Sequence, residues 1–163
     1  MAGLVLSLRP YEKVLIGGVV VQNGDKRSSL RVLDDAAGVL RLSDAMHPDD
    51  AKTPLSRCYY AAQLMLTGQA GKGGEALLAG LLRDAAAAFE GFAFAPDIAR
   101  ARAAAREGAW FRVMRALRPL LPQEAALLSD PRFRPVPAPT HAPRGLPAAA
   151  VIAGVERAAL TAG

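Results

Sequence analysis

The sequence predicts an α+β protein: a small N-terminal antiparallel β-sheet or half-barrel packed with a C-terminal helical hairpin or bundle. Three observations point there. Residues 4–42 carry short alternating or β-branched apolar runs parted by turn residues. From Thr53 onward, apolar residues recur at three- and four-residue steps. Beyond Ser129 prolines recur every few residues, which neither a helix interior nor a central strand accommodates. The expected organisation is a β module over 1–45, a helical module over 46–128 and a proline-rich tail over 129–163. With 52% apolar residues, the chain can build a core.

The strands follow in order. Leu4-Val5-Leu6-Ser7-Leu8 alternates, and Arg9-Pro10-Tyr11-Glu12 turns the chain into Lys13–Ile16. Gly17-Gly18 breaks or bulges the run. Val19–Gln22 and residues 27–33 flank Asn23-Gly24, two residues that tolerate the positive φ of a type I′ turn. The expectation is a hairpin with Asn23-Gly24 at its tip. Residues 39–42 supply a last short strand.

The helices follow from caps and stripes. Thr53-Pro54 supplies an N-cap and a first-position proline. Leu55, Cys58, Tyr59, Ala62 and Met65 or Leu66 then line one face. Residues 68–74 form a glycine-rich connection. A second stripe runs through Leu78, Leu81, Leu82, Ala85, Phe89 and Phe92. Pro96-Asp97 opens a third helix that Gly108 stops. Trp110, Val113, Met114 and Leu117 mark a fourth, ended by Pro119, and Pro122 opens a last short turn through Leu128. A short helix over 148–160 is expected within the tail. No internal repeat emerges.

Much chemistry is excluded at this level. A lone cysteine, Cys58, rules out an intramolecular disulfide and a cysteine-based zinc site, and on an apolar stripe it reads as a core thiol. Residues 1–8 are too short an apolar stretch, without a basic start, for a signal peptide. No run reaches membrane-spanning length, so a cytoplasmic location is expected. His47 and His141 have no ligand spacing. Glycines around Lys72 fail the phosphate-loop pattern: only two residues separate Gly68 from Gly71-Lys72, no Ser or Thr follows, and a helix precedes. No Ser-His-Asp or paired-carboxylate pattern stands out. The protein is expected to be no enzyme, with no cofactor and no metal. Its net charge of +5 favours an anionic partner.

Two sets of residues remain as candidates. Lys26 and Arg27 lie just past the expected turn and Arg31 follows on the same strand, with Lys13 and Arg41 in neighbouring strands. Their role would be phosphate neutralisation on a nucleic acid, RNA or DNA. Tyr11 is the only aromatic residue of this module, which leaves little for base stacking. The second set is Trp110, Phe111, Arg112 and Arg115. Phe111 falls beside the apolar stripe, where an exposed aromatic makes a good partner anchor. Arg112, Arg115 and Arg118 recur at three-residue steps, and Arg100, Arg102 and Arg106 mark the third helix. An ordinary solvated hairpin and solvated helix faces have the same appearance.

Several stretches stand together in a familiar order. They are Leu6-Ser7-Leu8-Arg9-Pro10, Glu12-Lys13, Ile16, Asn23-Gly24-Asp25-Lys26-Arg27, Leu40-Arg41, Asp44, Met46, Asp50-Ala51, Thr53-Pro54, Arg57, Tyr59 and Gln63-Leu64-Met65. Gly108, Arg115-Ala116-Leu117 and Leu121-Pro122-Gln123-Glu124-Ala125 follow. In that order the chain resembles the flagellum biosynthesis repressor family, FlbT, over residues 4–128. Tyr11 stands where glycine is expected, Gly17 where asparagine is usual, and Cys58 where an aliphatic residue is typical. The resemblance implies a post-transcriptional repressor that associates with the 5′ untranslated region of flagellin mRNA and promotes its decay. It implies the co-regulator FlaF as a partner. A rival reading is an adaptor that binds flagellin or FlaF and acts on the message indirectly. The opening through Glu12 and Ile16-Gly17 is also similar to the carbon storage regulator family. Those are small dimeric β proteins that bind messenger leaders, and that similarity would imply a homodimer. A common hairpin constraint produces the same short pattern.

Overall fold

The computed structural model describes residues 3–34 and 38–133, and it is α+β. The expected helix over 148–160, His141 and the tail beyond 133 lie outside the described residues. The chain forms two compact units. One takes residues up to Ala45 together with Leu66–Gln69, and the other starts at Met46.

The first unit holds five strands: β1 (Leu4–Leu8), β2 (Lys13–Ile16), β3 (Val19–Gln22), β4 (Ser28–Val32) and β5 (Val39–Arg41). β1 pairs antiparallel with β4, while β2 lies between β3 and β5. This corrects the expected hairpin. β3 and β4 do not pair with each other, and Asn23-Gly24 is not a hairpin tip. The tip is Gly17-Gly18, where Ile16 faces Val19 and both glycines have positive φ, 56° and 85°. Those dihedrals are what a two-residue type I′ loop demands.

β1 to β4 therefore form one long ribbon. β2 and β3 are its distal part and β1 and β4 its base. A corner separates them, where residues 9–12 on one arm face residues 23–27 on the other. The arms differ by one residue there, and this shifts the register: Lys13 faces Gln22, but Leu8 faces Ser28. An extra residue on one arm bends a ladder as a bulge does.

Leu6, Leu8 and Val14 are buried, and Ile16, Leu30, Val32 and Val39 pack against them. The alternation in β1 and β4 supplies this face: Leu6 opposes Leu30, while Val5 opposes Arg31 on the outer side. Leu15 and Leu40 are also buried and face each other on the opposite side of the β2–β5 pair. Gly38 lies so close to the backbone of Leu66 that an added Cβ would meet the carbonyl oxygen at 1.7 Å.

The second unit holds α1 (Pro54–Leu66), α2 (Gly74–Ala88), α3 (Ala95–Arg106), α4 (Trp110–Leu117) and α5 (Leu121–Leu128). α3 packs against both α2 and α4. α4 follows its expected stripe, with Val113, Met114 and Leu117 buried. α1 exceeds its stripe: Leu55, Ser56 and all of residues 58–64 are buried. Polar residues on α1 are accommodated by specific bonds. Gln63 accepts from the Met46 N–H at 2.7 Å and donates to the Met46 carbonyl at 3.1 Å, as a backbone partner would. Thr53 and Ser56 cap each other reciprocally through hydroxyl and backbone N–H.

A carboxylate completes that helix start. Glu124 of α5 is 1% exposed and accepts from Leu55 N–H at 2.8 Å and from the Thr53 hydroxyl. Burial raises its pKa, while the bonds from Thr53, Leu55 and Ser56 pull the other way. At the turn between α2 and α3, Phe89, Phe92 and Phe94 contact one another, and Phe133 adds an edge contact to Phe92 at 6.2 Å between ring centres.

Candidate nucleic-acid interface

The corner of the ribbon is cross-braced by one side chain. The amide nitrogen of Asn23 donates to the carbonyls of Arg9 at 2.7 Å and Lys26 at 2.8 Å, and reaches Leu8 O at 3.4 Å. Its oxygen accepts from the Ser28 hydroxyl at 2.6 Å. Two backbone bonds continue the β2–β3 ladder into the corner: Asn23 N–H to Glu12 O at 2.9 Å, and Tyr11 N–H to Gly24 O at 2.8 Å. Asn23 thus ties both arms together.

Glu12 organises the inner side. Its carboxylate accepts from Arg9 N–H at 2.7 Å and pairs with the Arg41 guanidinium. The Arg9 N–H bond first, and then Arg41, hold its carboxyl below the ordinary glutamate value. Arg41 also donates to Ser7 O at 3.1 Å. The guanidinium of Arg41 is thus engaged within the fold, so of the five cations singled out in the sequence it is the least available to a phosphate.

The other four fall as follows. Lys26 and Arg27 are exposed at the corner and have no ion-pair partner among the described residues. Lys13 is half-buried at the start of β2, directly beside the corner. Arg31 is exposed on β4, about 10 Å further along the strand from Ser28. Arg9, which composition and spacing had not singled out, joins Lys26 through the shared bonds to Asn23, and Arg27 is the next residue along the chain. Asp25 is the acidic residue between them.

Tyr11 belongs to the same place. It is 63% exposed and is the one described non-glycine residue with positive φ, at 58°. That conformation costs a residue with a Cβ about 1–2 kcal/mol. A glycine would sit there without strain, which accounts for the glycine expected from the family pattern.

The second candidate set lies on α4. Phe111 is 54% exposed, as its position beside the stripe implies, while Trp110 is half-buried. Arg112 pairs with Glu107, and Arg115 is exposed. Arg100 likewise pairs with Asp97. These pairings neutralise part of the arginine face.

Other sequence features resolve as structure. The thiol of Cys58 is fully buried, and desolvation pushes its pKa far above the ordinary cysteine value. The Nδ1 of His47 accepts from Asp49 N–H and caps a short 3₁₀ turn, Pro48–Asp50. Among the described residues there is no cluster of three or more metal-ligating side chains, and no helix is long and apolar enough to cross a membrane.

A protein-family model described as "Flagellar protein FlbT" matches residues 4–128 of the chain. A Caulobacter protein named probable flagellum biosynthesis repressor protein FlbT is 48% identical over 67 residues, covering 41% of this chain and 50% of that protein. The Caulobacter vibrioides flagellum biosynthesis repressor protein FlbT is 46% identical over 68 residues, 42% of this chain and 48% of its own. The chain thus spans about half the length of these Caulobacter relatives. A Rhodopseudomonas palustris protein named as a probable repressor of the same kind is 29% identical over 126 residues, covering 77% of this chain and 98% of its own length. No solved structure matches the chain significantly.

Proposed function

The chain belongs to the FlbT family of flagellar proteins, and from that premise we propose that it represses flagellin synthesis after transcription. In this reading it binds the 5′ untranslated region of flagellin mRNA in the cytoplasm and commits the message to decay. It catalyses nothing itself; cellular nucleases cut the RNA. The observation that carries the RNA part is the corner of the ribbon, where Arg9, Lys26 and Arg27 are exposed around one brace, with Asp25 between them and the Glu12 carboxylate turned to Arg41 and the Arg9 N–H. Such a cluster suits phosphate contacts, which position RNA without reading bases. The relatives' names support the repressor role.

A second reading has its own observation. Phe111, 54% exposed on a helix that buries Val113, Met114 and Leu117, is a suitable anchor for a protein partner such as flagellin or FlaF. In that case the effect on the message is indirect. A double variant, Lys26→Ala with Arg27→Ala, separates the readings. It loses leader binding and repression under the first and keeps repression under the second, whereas Phe111→Ala does the reverse.

A further inference from the structure

We infer that the ribbon corner is a binding site for single-stranded nucleic acid in which the Tyr11 ring is the stacking platform for one base and Arg9, Lys26 and Arg27 hold the neighbouring phosphates. This rests on the RNA-binding reading above and adds to it the mode of recognition.

Four observations converge on Tyr11. First, neither packing nor backbone preference accounts for an aromatic residue there. The side chain is 63% exposed, and its backbone adopts φ 58°, which favours glycine. An outlier of this kind, in a segment otherwise well braced, points to a role for the side chain itself. Second, the ring has no aromatic partner among the described residues: the phenylalanine cluster belongs to the other unit and Tyr11 takes part in no ring contact. Third, the platform is held. Tyr11 N–H bonds Gly24 O at 2.8 Å, Glu12 N–H bonds Arg9 O at 3.1 Å, and Asn23 ties Arg9 to Lys26. A stacked base therefore meets a residue whose backbone is already fixed, and less ordering is required on binding. Fourth, the cations flank it. Arg9 is two residues before Tyr11, and Lys26 is two residues beyond its bonded partner Gly24. Each two-residue step spans at most about 7 Å between Cα atoms, within reach of a long basic side chain.

A flat ring flanked by cations is the combination that single-strand binders use, because every base has a face to stack and a phosphate on either side. A duplex hides its base faces and satisfies only the cations. A protein partner would use the ring as an apolar anchor but would leave the cations without phosphates.

The test titrates the full chain into an unstructured RNA of about 12 nucleotides, inside the range of known single-strand site sizes, carrying 2-aminopurine in place of adenine. Duplex RNA of the same sequence serves as the competitor. The wild type should bind, quench the 2-aminopurine fluorescence through stacking, and prefer the single strand. Tyr11→Leu should weaken binding about 5- to 150-fold, the range for loss of one stacked base, abolish the quench, and leave the salt dependence unchanged. Tyr11→Phe should behave as wild type. Lys26→Ala with Arg27→Ala should weaken binding and flatten the salt dependence, yet retain the quench at saturation. Tyr11→Gly removes the ring and relieves the backbone at once, so its loss of binding cannot be assigned to unfolding. If the wild type binds and depends on Lys26 and Arg27 while Tyr11→Leu binds and quenches equally well, the stacking role falls and the RNA reading stands. If duplex competes as well as single strand, the stacking role falls too. If the wild type binds no RNA, both fall.

Discussion

Replacing Glu124 by alanine should destabilise the helical unit by about 2–4 kcal/mol. Two losses contribute. The buried Leu55 N–H loses its acceptor at 2.8 Å, and an orphaned buried donor costs about 1–3 kcal/mol. The side chain is 1% exposed, so truncation also leaves a small cavity costing about 1–2 kcal/mol. Thr53 is less affected, because its hydroxyl still has Ser56 Oγ at 2.7 Å. Relief of a desolvated carboxylate offsets part of the sum. Glu124→Gln keeps one acceptor and should cost about 1 kcal/mol.

The pH dependence gives a second check. Burial raises the folded-state pKa of Glu124 above its unfolded value. The stability this group contributes is therefore complete below the unfolded pKa and declines as pH rises through the folded one. The wild type's advantage over Glu124→Gln should be largest in mild acid and should shrink toward neutrality. The assay is equilibrium urea unfolding followed by Trp110, the single tryptophan, which lies in the same unit as Glu124. The slope with urea should be unchanged. An alanine variant within about 0.5 kcal/mol of wild type, the range of an ordinary surface substitution, would refute the role of Glu124 as a cap for α1. An advantage over glutamine that grows with pH would overturn the raised pKa alone, by showing that the bonds from Thr53, Leu55 and Ser56 outweigh burial.

Other expectations concern the ribbon. Asn23→Ala removes the bonds to Arg9 O, Lys26 O and Ser28 Oγ and should cost about 1–3 kcal/mol, read by urea unfolding, with faster hydrogen exchange at the Tyr11 amide. Gly17→Ala should cost about 1–2 kcal/mol because its φ is 56°. Gly24→Ala should stay within about 0.5 kcal/mol, since an added Cβ meets nothing within 4 Å; the opposite ranking would restore Asn23-Gly24 as the hairpin tip. Gly38→Ala should cost about 3 kcal/mol, because its Cβ would overlap the Leu66 carbonyl and only backbone movement relieves the clash; circular dichroism melting reads it.

The helical half was legible because its signals are local. Thr53-Pro54, Pro96-Asp97 and Gly108 mark element ends through backbone chemistry that needs no distant partner. The Trp110–Leu117 stripe likewise predicts which residues are buried and leaves Phe111 outside. The all-round burial of α1 was not legible. It depends on Gln63 meeting Met46 and Glu124 meeting Leu55, and a polar residue carries no mark of such a partner.

The ribbon shows a different limit. Two dipeptides, Gly17-Gly18 and Asn23-Gly24, can both form the same tight turn, and local preference does not choose between them. The choice is made by which apolar residues can be buried together. Turning at Gly17-Gly18 nests β1 against β4 and places Leu6, Leu8, Leu30 and Val32 on one face. A turn at Asn23-Gly24 would forgo that core. Asn23 is then freed to brace the corner, and this brings Arg9 and Tyr11 beside Lys26 and Arg27. The candidate site was thus half legible: its cations stood out as charges, but their assembly depends on a pairing between residues 4–8 and 28–32.

The most direct test of the central claim is titration of the purified full chain against labelled flagellin leader RNA and a scrambled control at several salt concentrations. The account predicts selective binding to the leader, with a log-linear loss of affinity as salt rises. Lys26→Ala with Arg27→Ala should lower that slope by about 1.4, two phosphate contacts at about 0.7 each on single-stranded RNA. Equal weak binding to both RNAs, with a slope indifferent to those two residues, would contradict direct recognition and leave the adaptor surface around Phe111 as the functional one.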